Sequence, residues 1–324
     1  MTILTPDTMR TWRARSRSAV GRDRPRSTKR SRREAGTFYV FVSPWILGFV
    51  VFTMVPMAAS LWLSLTDYRQ PPHSPSFVGF ANYVRMFTDD PLFWKALGQT
   101  LYFAGVSVPL SLMIALFLAN LLHQRFRLVR FFRTVIYLPA LVPLVAAAIL
   151  FRWLLAPTTG PINGFLALFG VEGPAWLLDA DWVIPAIILL SIWQVGAGTI
   201  LLIAALQGIP AELHEAAVLD GANRRQIFWR VTVPLVTPIL FFNLITGMIG
   251  AFQVFAQVFV LTDSGPNNAS LMMVPYIYNT AFRYYEMGYA SALAWVFFGI
   301  ILIFSAAILR TAKFWVFYET EVRK

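Results

Sequence analysis

Residues 206–238 read LQGIPAELHEAAVLDGANRRQIFWRVTVPLVTP, a polar stretch between two long apolar runs. Pro210 suits the first position of a helix, where its missing N–H leaves no bond unmade. Glu212 follows in the first turn, where the positive end of the helix dipole favours an anion. Asp220 and Gly221 suit the end of that helix, because glycine readily adopts the left-handed C-cap conformation. An ordered helix in a connection between apolar runs is typical of a docking element.

This predicted helix has a face of small residues, and a basic segment follows it. Residues three or four apart in a helix share one face, and here they are Leu213, Ala216, Ala217 and Asp220. Two alanines on that face allow another backbone to approach closely. A second helix is predicted through Arg224, Arg225, Phe228 and Arg230, before Pro234 and Pro238 open the next apolar run. On these residues alone, a pair of amphipathic helices lying on the inner leaflet is as good an interpretation as a docking element.

The rest of the chain is dominated by apolar runs. Of its 324 residues, 57% are hydrophobic and 13% are charged, whereas charged residues make up about 25% of a typical soluble domain. Six runs hold roughly 20 residues or more, enough to cross about 30 Å of hydrocarbon as a helix. They are 38–65, 96–122, 131–155, 183–206, 231–261 and 289–309. An all-α membrane protein with six transmembrane helices is therefore predicted.

Basic residues are divided unequally between the two sides of these runs. Of the 27 Lys and Arg residues, 22 fall on the side of the N-terminus and five on the other. The five are Arg69, Arg85, Lys95, Arg152 and Arg283. The positive-inside rule then places both termini and the polar loop in the cytoplasm of a multi-pass cell (inner or plasma) membrane protein.

Three segments are predicted from these patterns. Residues 1–36 form a disordered basic cytoplasmic tail, 37–312 the six-span domain with its polar loop at 207–230, and 313–324 a cytoplasmic C-terminal tail. Eleven of the 27 basic residues lie in the first 33 positions. Such a tail is attracted to anionic lipid, and without interleaved aromatics it does not indicate nucleic-acid binding.

Several classes of chemistry lack the residues they need. The chain has no cysteine, and its three histidines, His73, His123 and His214, are far apart, so neither thiol chemistry nor a transition-metal site is indicated. The nucleotide-binding pattern G-x-x-x-x-G-K-[ST] does not occur. No Asp, Glu, Lys or His falls at mid-depth in the six runs, where ion-driven transporters usually place such residues. The sequence thus predicts no enzyme and no bound cofactor, and requires an external source of energy.

Uncharged polar residues follow one side of the fifth run. Asn243, Thr246, Gly250, Gln253 and Gln257 have gaps of three, four, three and four, which predicts one stripe on a helix. Gln194, beside Trp193, is a similar candidate in the fourth run. Such groups suit a hydroxyl-rich uncharged solute, so they are predicted to line a substrate path. Polar glue between membrane helices is the alternative.

Two stretches carry a family resemblance. EAAVLDGANRRQIFWRVTVPLVTP, at 215–238, resembles the EAA loop of permease subunits in ATP-binding-cassette (ABC) importers. Its DGA and VPLVTP are similar to the carbohydrate-uptake branch, which includes the maltose and glycerol-phosphate permeases. VFVLTDSGPNNASLMMVPYIYNTAFRYYEMGYASALAW, at 258–295, resembles the segment before the last span in that branch. The family form there is T-x-G-G-P, then Y-x-x-x-F and G-Y-A-S-A, and Ser264 replaces one family glycine.

The resemblance implies a fold and a set of partners. The fold is that of a type I ABC importer permease, whose EAA loop is a cytoplasmic coupling helix seated in a groove of an ATPase. The implied ATPase-coupling residues are Glu215, Ala216, Ala217, Asp220 and Gly221. Glu215 would meet basic groups, the alanines would pack closely, and Gly221 would break the helix. The implied partners are a second homologous permease, two ATPases that bind ATP and Mg, and an extracytoplasmic solute-binding protein, with membrane lipid around them.

The predicted function is therefore the membrane path of an importer for a sugar or related polyol. Import of glycerol phosphodiesters or another polar solute by the same architecture is one alternative. A membrane anchor or receptor without transport is an alternative from another class. The missing charges within the spans argue against a secondary transporter.

Overall fold

The computed structural model describes residues 29–69, 75–124 and 126–317. These residues form helices, and the one strand-like pairing among them is an isolated antiparallel bridge between Thr66 and Phe77. In hydrocarbon a segment must satisfy its own backbone hydrogen bonds, which favours helices for apolar runs. The predicted all-α membrane fold is confirmed.

Fifteen α-helices are distinguished in the described chain, joined in three places by π-helical turns. Helices α1 to α6 are Lys29–Phe49, Val55–Ser64, Ala81–Thr88, Pro91–His123, Val129–Leu141 and Leu144–Leu154. Helices α7 to α11 are Pro161–Ala167, Val183–Trp193, Gly196–Gln207, Ala211–Leu219 and Arg224–Ile227. Helices α12 to α15 are Val233–Phe252, Ala256–Leu261, Met273–Tyr278 and Met287–Trp315. The π-helical turns are Val50–Met54, Phe228–Thr232 and Asn279–Arg283.

The chain divides into two units after Ala59, and the first contains α1 and the turn behind it. Helix α1 begins at Lys29, inside the segment 1–36 predicted as a tail, and the earlier part of that segment lies outside the described residues. Apolar side chains of this unit are exposed, with Phe41 of α1 80% exposed and Phe52 of the π-helical turn 81% exposed. A helix that is apolar on all sides needs lipid or another subunit around it.

Four uninterrupted helical stretches are long and apolar enough to cross a membrane, and two further stretches are bent. The four are Thr37–Ser64, Pro91–His123, Arg224–Phe252 and Met287–Trp315. The pair α5–α6 bends by 100° and the pair α8–α9 by 44°. Val142 is extended at the first bend (ψ 127°) because a residue before proline disfavours the helical conformation. Counting each bent pair as one span gives up to six spans, as predicted.

The prediction of one continuous helix over 231–261 is wrong. Helix α12 ends at Phe252, Gln253 caps it, and α13 begins only at Ala256. The Gln253 N–H bonds to both Ile249 and Gly250 carbonyls at 3.2 Å, the tightened last turn of a helix end. Val254, in the break, is buried in the core. Packing at this position therefore overrides the helical periodicity of the sequence.

Three apolar clusters build the second unit, and α4 passes through all of them. A central cluster includes Phe103, Phe151, Ile187, Leu190 and Val258. A second cluster, at what we call the Asp90 end, includes Phe93, Leu271, Tyr276, Tyr289 and Leu293. A third, at what we call the polar-loop end, includes Ala119, Leu122, Leu202, Leu206 and Val236. Because α4 packs in all three clusters, it connects the Asp90 end of the unit to the polar-loop end.

Candidate functional site

A cavity of about 410 Å³ lies halfway along α4. Ser107, at the midpoint of the 33-residue helix Pro91–His123, is part of its wall. No charged residue is found among the described residues that line it. The polar lining consists of Ser107, Ser111, Ser191, Gln194, Asn243, Thr246 and Gln257. A mid-span cavity with neutral hydrogen-bonding groups can hold an uncharged polar solute.

Broken helices meet at this cavity. Gln194 caps α8 at its bend, and its side-chain Nε2 donates to the Val142 carbonyl, at the bend of the α5–α6 pair, over 3.4 Å. Val254, in the break between α12 and α13, also lines the cavity. Irregular backbone at membrane depth is tolerated where it is buried in protein or faces a cavity. Two of the breaks therefore line the site, and the bend at Val142 is connected to it through Gln194.

The cavity retains hydrogen-bonding capacity. The Ser191 hydroxyl donates to Gln257 Oε1 at 3.1 Å, and the Thr246 hydroxyl donates to the Phe242 carbonyl at 2.7 Å. Asn243 Nδ2, in contrast, is buried and has no partner within the described chain. A buried donor without a partner is uncommon, so this amide is available to an acceptor in the cavity.

The structure brings most of the predicted path residues together. Gln194, Asn243, Thr246, Gly250 and Gln257 all line the cavity. Gln253 does not, because the helix has ended before it and its side chain is exposed. Gln194 and Gln257 also form hydrogen bonds with other segments. These bonds fit the alternative given in the sequence analysis, that the polar residues hold membrane helices together. Which of these residues contacts a substrate stays a prediction.

Three serines that line the cavity were not predicted from the sequence. Ser107 and Ser111 lie four apart on α4, and Ser191 lies three before Gln194. Their helical spacing could have indicated a shared face. Serine is also common at membrane helix contacts, so spacing alone does not separate the two roles.

The polar loop forms a short helix with a well-defined end. Pro210, predicted at the first helical position, instead precedes α10 with ψ 133°, because the helix begins at Ala211. Gly221 has φ +78°, and its N–H bonds to the Val218 carbonyl at 3.0 Å. The Ala222 N–H bonds to the Ala217 carbonyl at 2.9 Å. This pair of bonds is a Schellman motif, so the predicted glycine C-cap is confirmed.

The second helix of the loop begins with a capping box. The Gln226 N–H bonds to Asn223 Oδ1 at 2.9 Å, and the Asn223 N–H bonds to Gln226 Oε1 at 2.8 Å. The spacing of these residues, N-x-x-Q, is a start signal for a helix that the sequence reading overlooked. Both boundaries of the connection between α10 and α11 are thus set by local bonds.

The outer side of α10, which we call the coupling face, exposes both polar and apolar groups. Its exposed members are Leu213, Glu215, Ala216, Val218, Leu219, Asp220 and Gly221, while Ala217 is half-buried. Leu219 is 88% exposed. On the other side, half-buried His214 lies 3.4 Å from the Thr232 hydroxyl. A short helix that is anchored on one side and exposes apolar groups on the other suits contact with a partner.

Comparison with known proteins places these features in a family. Residues 108–312 match the family described as "binding-protein-dependent transport system inner membrane component". The probable ABC transporter permease protein YesP of Bacillus subtilis is 37% identical over 93% of this chain and 98% of its own. The lactose transport system permease protein LacF of Rhizobium radiobacter is 36% identical over 88% of this chain and 94% of its own.

A solved structure has a similar fold. It is that of a bacterial alginate ABC transporter in complex with an alginate pentasaccharide-bound periplasmic protein. The matched chain superimposes with a TM-score of 0.79 at 23% identity, covering 89% of this chain and 97% of that one. At this identity the likeness concerns the fold alone, which is that of a type I ABC importer permease.

The fold and the site define a multi-pass membrane subunit of a transporter, which is not an enzyme. The chain belongs to the family of binding-protein-dependent transport system inner membrane components, the permeases of ABC importers.

Proposed function

We propose that this permease forms half of the membrane path for a neutral sugar or oligosaccharide. The observation that carries the proposal is the mid-span cavity of about 410 Å³, which has a neutral polar lining and the unpaired Asn243 Nδ2. Sugars offer many hydroxyl donors and acceptors without net charge, so such a lining fits them. The similarity to LacF, a lactose transport system permease protein, also supports a neutral sugar as the solute.

Charge argues against the alternative solute. A glycerol phosphodiester carries an anionic phosphate, and phosphate sites usually supply Arg, Lys or a helix N-terminus. The described lining of the cavity contains no Arg or Lys. Neutral carbohydrate is therefore the better match to this cavity.

The coupling face is the proposed contact with a partner ATPase. Two ATPases, a second homologous permease and an extracytoplasmic binding protein complete the assembly. ATP and Mg would bind to the ATPases. The charge bias of 22 basic residues against five supports cytoplasmic termini, with the coupling face on the same side. An ATPase that closes on ATP would then move α10 and change access to the cavity.

Reconstitution tests this function. The assembled transporter would be placed in proteoliposomes with its binding protein and offered labelled lactose or glycerophosphocholine. We expect ATP-dependent uptake of the neutral sugar that persists when ion gradients are collapsed. Uptake of the phosphodiester alone would overturn the sugar assignment, and uptake that needs an ion gradient would indicate a secondary transporter. Failure to co-purify any ATPase would favour the anchor or receptor alternative.

A further inference from the structure

A second, basic groove lies at the polar-loop end of α4, apart from the cavity and the coupling face. It has a volume of about 950 Å³ and is lined by His123, Gln124, Phe126, Arg127, Val129, Arg133 and Gln207. No acidic residue occurs among these described lining residues. No described carboxylate forms an ion pair with Arg127 or Arg133 either. The groove therefore offers cationic groups that suit an anion.

The backbone adds to this positive character. Helix α5 begins in the groove at Val129, with no side-chain cap and no acidic residue in its first turn. The N-terminus of a helix presents free N–H groups and the positive end of its dipole, which favour phosphate. Arg133, one turn later, donates to the Leu122 carbonyl through Nη2 at 2.7 Å and Nε at 3.3 Å. These bonds hold its guanidinium in place at the groove.

Exposed apolar groups border the same groove. Phe126 is part of its wall, and Leu128 and Phe131, which are next to the lining residues Arg127 and Val129 or two residues beyond them along the chain, are 60% and 61% exposed. His123 is the last residue of the membrane-crossing helix Pro91–His123, which puts the groove at the depth of lipid headgroups. A free phosphate would need only the cationic groups, whereas a phospholipid also uses the apolar ones.

We propose that this groove binds the phosphate of an anionic phospholipid. The orientation proposed above puts it in the cytoplasmic leaflet, where basic segments attract anionic lipid. Gln207, which ends α9 and precedes α10, lines the same groove. A bound headgroup therefore touches both the α4–α5 connection and the base of the polar loop. We expect it to stabilise the packing of α4, α5 and α9 at the polar-loop end.

Lipid titration tests the proposal without measuring transport. The assembled transporter with the full chain would be purified in detergent and titrated with phosphatidylglycerol, with binding followed by native mass spectrometry. We expect Arg127→Gln to weaken phosphatidylglycerol binding by about fivefold, the effect of one basic residue near a membrane surface. Arg127 is exposed, so this variant should fold. Arg133→Gln is the second variant and should weaken binding at least as much.

Controls separate the groove from general electrostatics and from free phosphate. Arg310→Gln removes an exposed charge from α15 outside the groove and should leave binding unchanged. Phosphatidylcholine should bind less well than phosphatidylglycerol. Equal losses in Arg127→Gln and Arg310→Gln would overturn the proposal. Full displacement of the lipid by inorganic phosphate, or no preference between the two lipids, would also overturn it. Because transport is not the readout, these outcomes are independent of the proposed sugar.

Discussion

The hydroxyl of Tyr276 donates a 2.5 Å hydrogen bond to Asp90 Oδ2, joining residues 186 positions apart. Tyr289 donates to the same oxygen, while Asp90 Oδ1 accepts from the N–H groups of Leu92 at 2.9 Å and Phe93 at 3.2 Å. One carboxylate thus caps α4 and ties it to α14 and α15. Burial, and then the bond to Asp90, raise the pKa of the Tyr276 hydroxyl, so it remains a protonated donor.

Asp90→Ala is expected to lower the free energy of unfolding by about 3 kcal/mol. The estimate combines roughly 1 kcal/mol for a lost N-cap with about 1 kcal/mol or more for each buried hydroxyl left unpaired. Thermal unfolding of the detergent-solubilised protein measures it. Asp89→Ala, at the neighbouring exposed residue, is the matched control and should change stability little. Equal stability of the two variants would mean that the Asp90 contacts contribute nothing.

Gly288→Ala should destabilise the same end of the protein for a steric reason. A Cβ at Gly288 would lie 2.2 Å from the Thr66 carbonyl oxygen and 3.0 Å from the Tyr68 nitrogen, both backbone atoms. The present close approach includes the bond from Gly288 N–H to the Tyr68 carbonyl at 2.9 Å. Forced overpacking costs about 1–3 kcal/mol, measurable as a lower unfolding temperature.

Gly299→Ala, in the same helix, is the control for that substitution. Its added Cβ would meet nothing within 4 Å, and alanine favours a helix over glycine by up to about 1 kcal/mol. We expect this variant to be neutral or slightly more stable. If both glycine variants lose stability equally, the cause is not the contact with Thr66.

Glu215→Ala should uncouple transport while the protein still inserts in the membrane. Truncating a charge that is buried in an interface costs about 2 kcal/mol or more, which corresponds to roughly a 30-fold loss. The measurements are membrane insertion and ATP-driven uptake in proteoliposomes. Glu212→Ala, in the first turn of the same exposed helix, is the control and should retain most activity. Uptake at the full rate by Glu215→Ala would refute the role given to this residue.

Single cysteines can be introduced directly to test the cavity, because the chain contains none. We expect a thiol reagent to label Asn243→Cys and Thr246→Cys from the aqueous side. A bound sugar at ten times its Kd should slow that labelling by about tenfold, the ratio set by occupancy. The rate of labelling with and without sugar is the measurement.

Gln253→Cys provides the matched control from the same polar stripe. Gln253 lies outside the cavity and is exposed, so its labelling should not respond to the sugar. Protection of all three positions would support the continuous stripe of the sequence prediction as a path. Inaccessibility of Asn243→Cys and Thr246→Cys would leave interhelical packing as their role.

The features predicted well from the sequence depend on neighbours along the chain. The length of an apolar run is enough to predict a membrane span, because a helix makes its own backbone hydrogen bonds and needs no partner for them in lipid. The C-cap at Gly221 needs only a residue that tolerates positive φ, and Pro143 forces Val142 out of the helix by direct steric contact.

The tertiary structure alone decided which polar residues share a site. Periodicity placed Gln253 beside Asn243, but the burial of Val254 in the core ends the helix at Phe252 and turns Gln253 outward. Ser107 joins the cavity from a different helix, as does Ser191. A helix break set by packing against other segments has no local signal. The sequence by itself therefore determined the apolar spans and the capped helix of the polar loop, while packing decided which residues line the cavity.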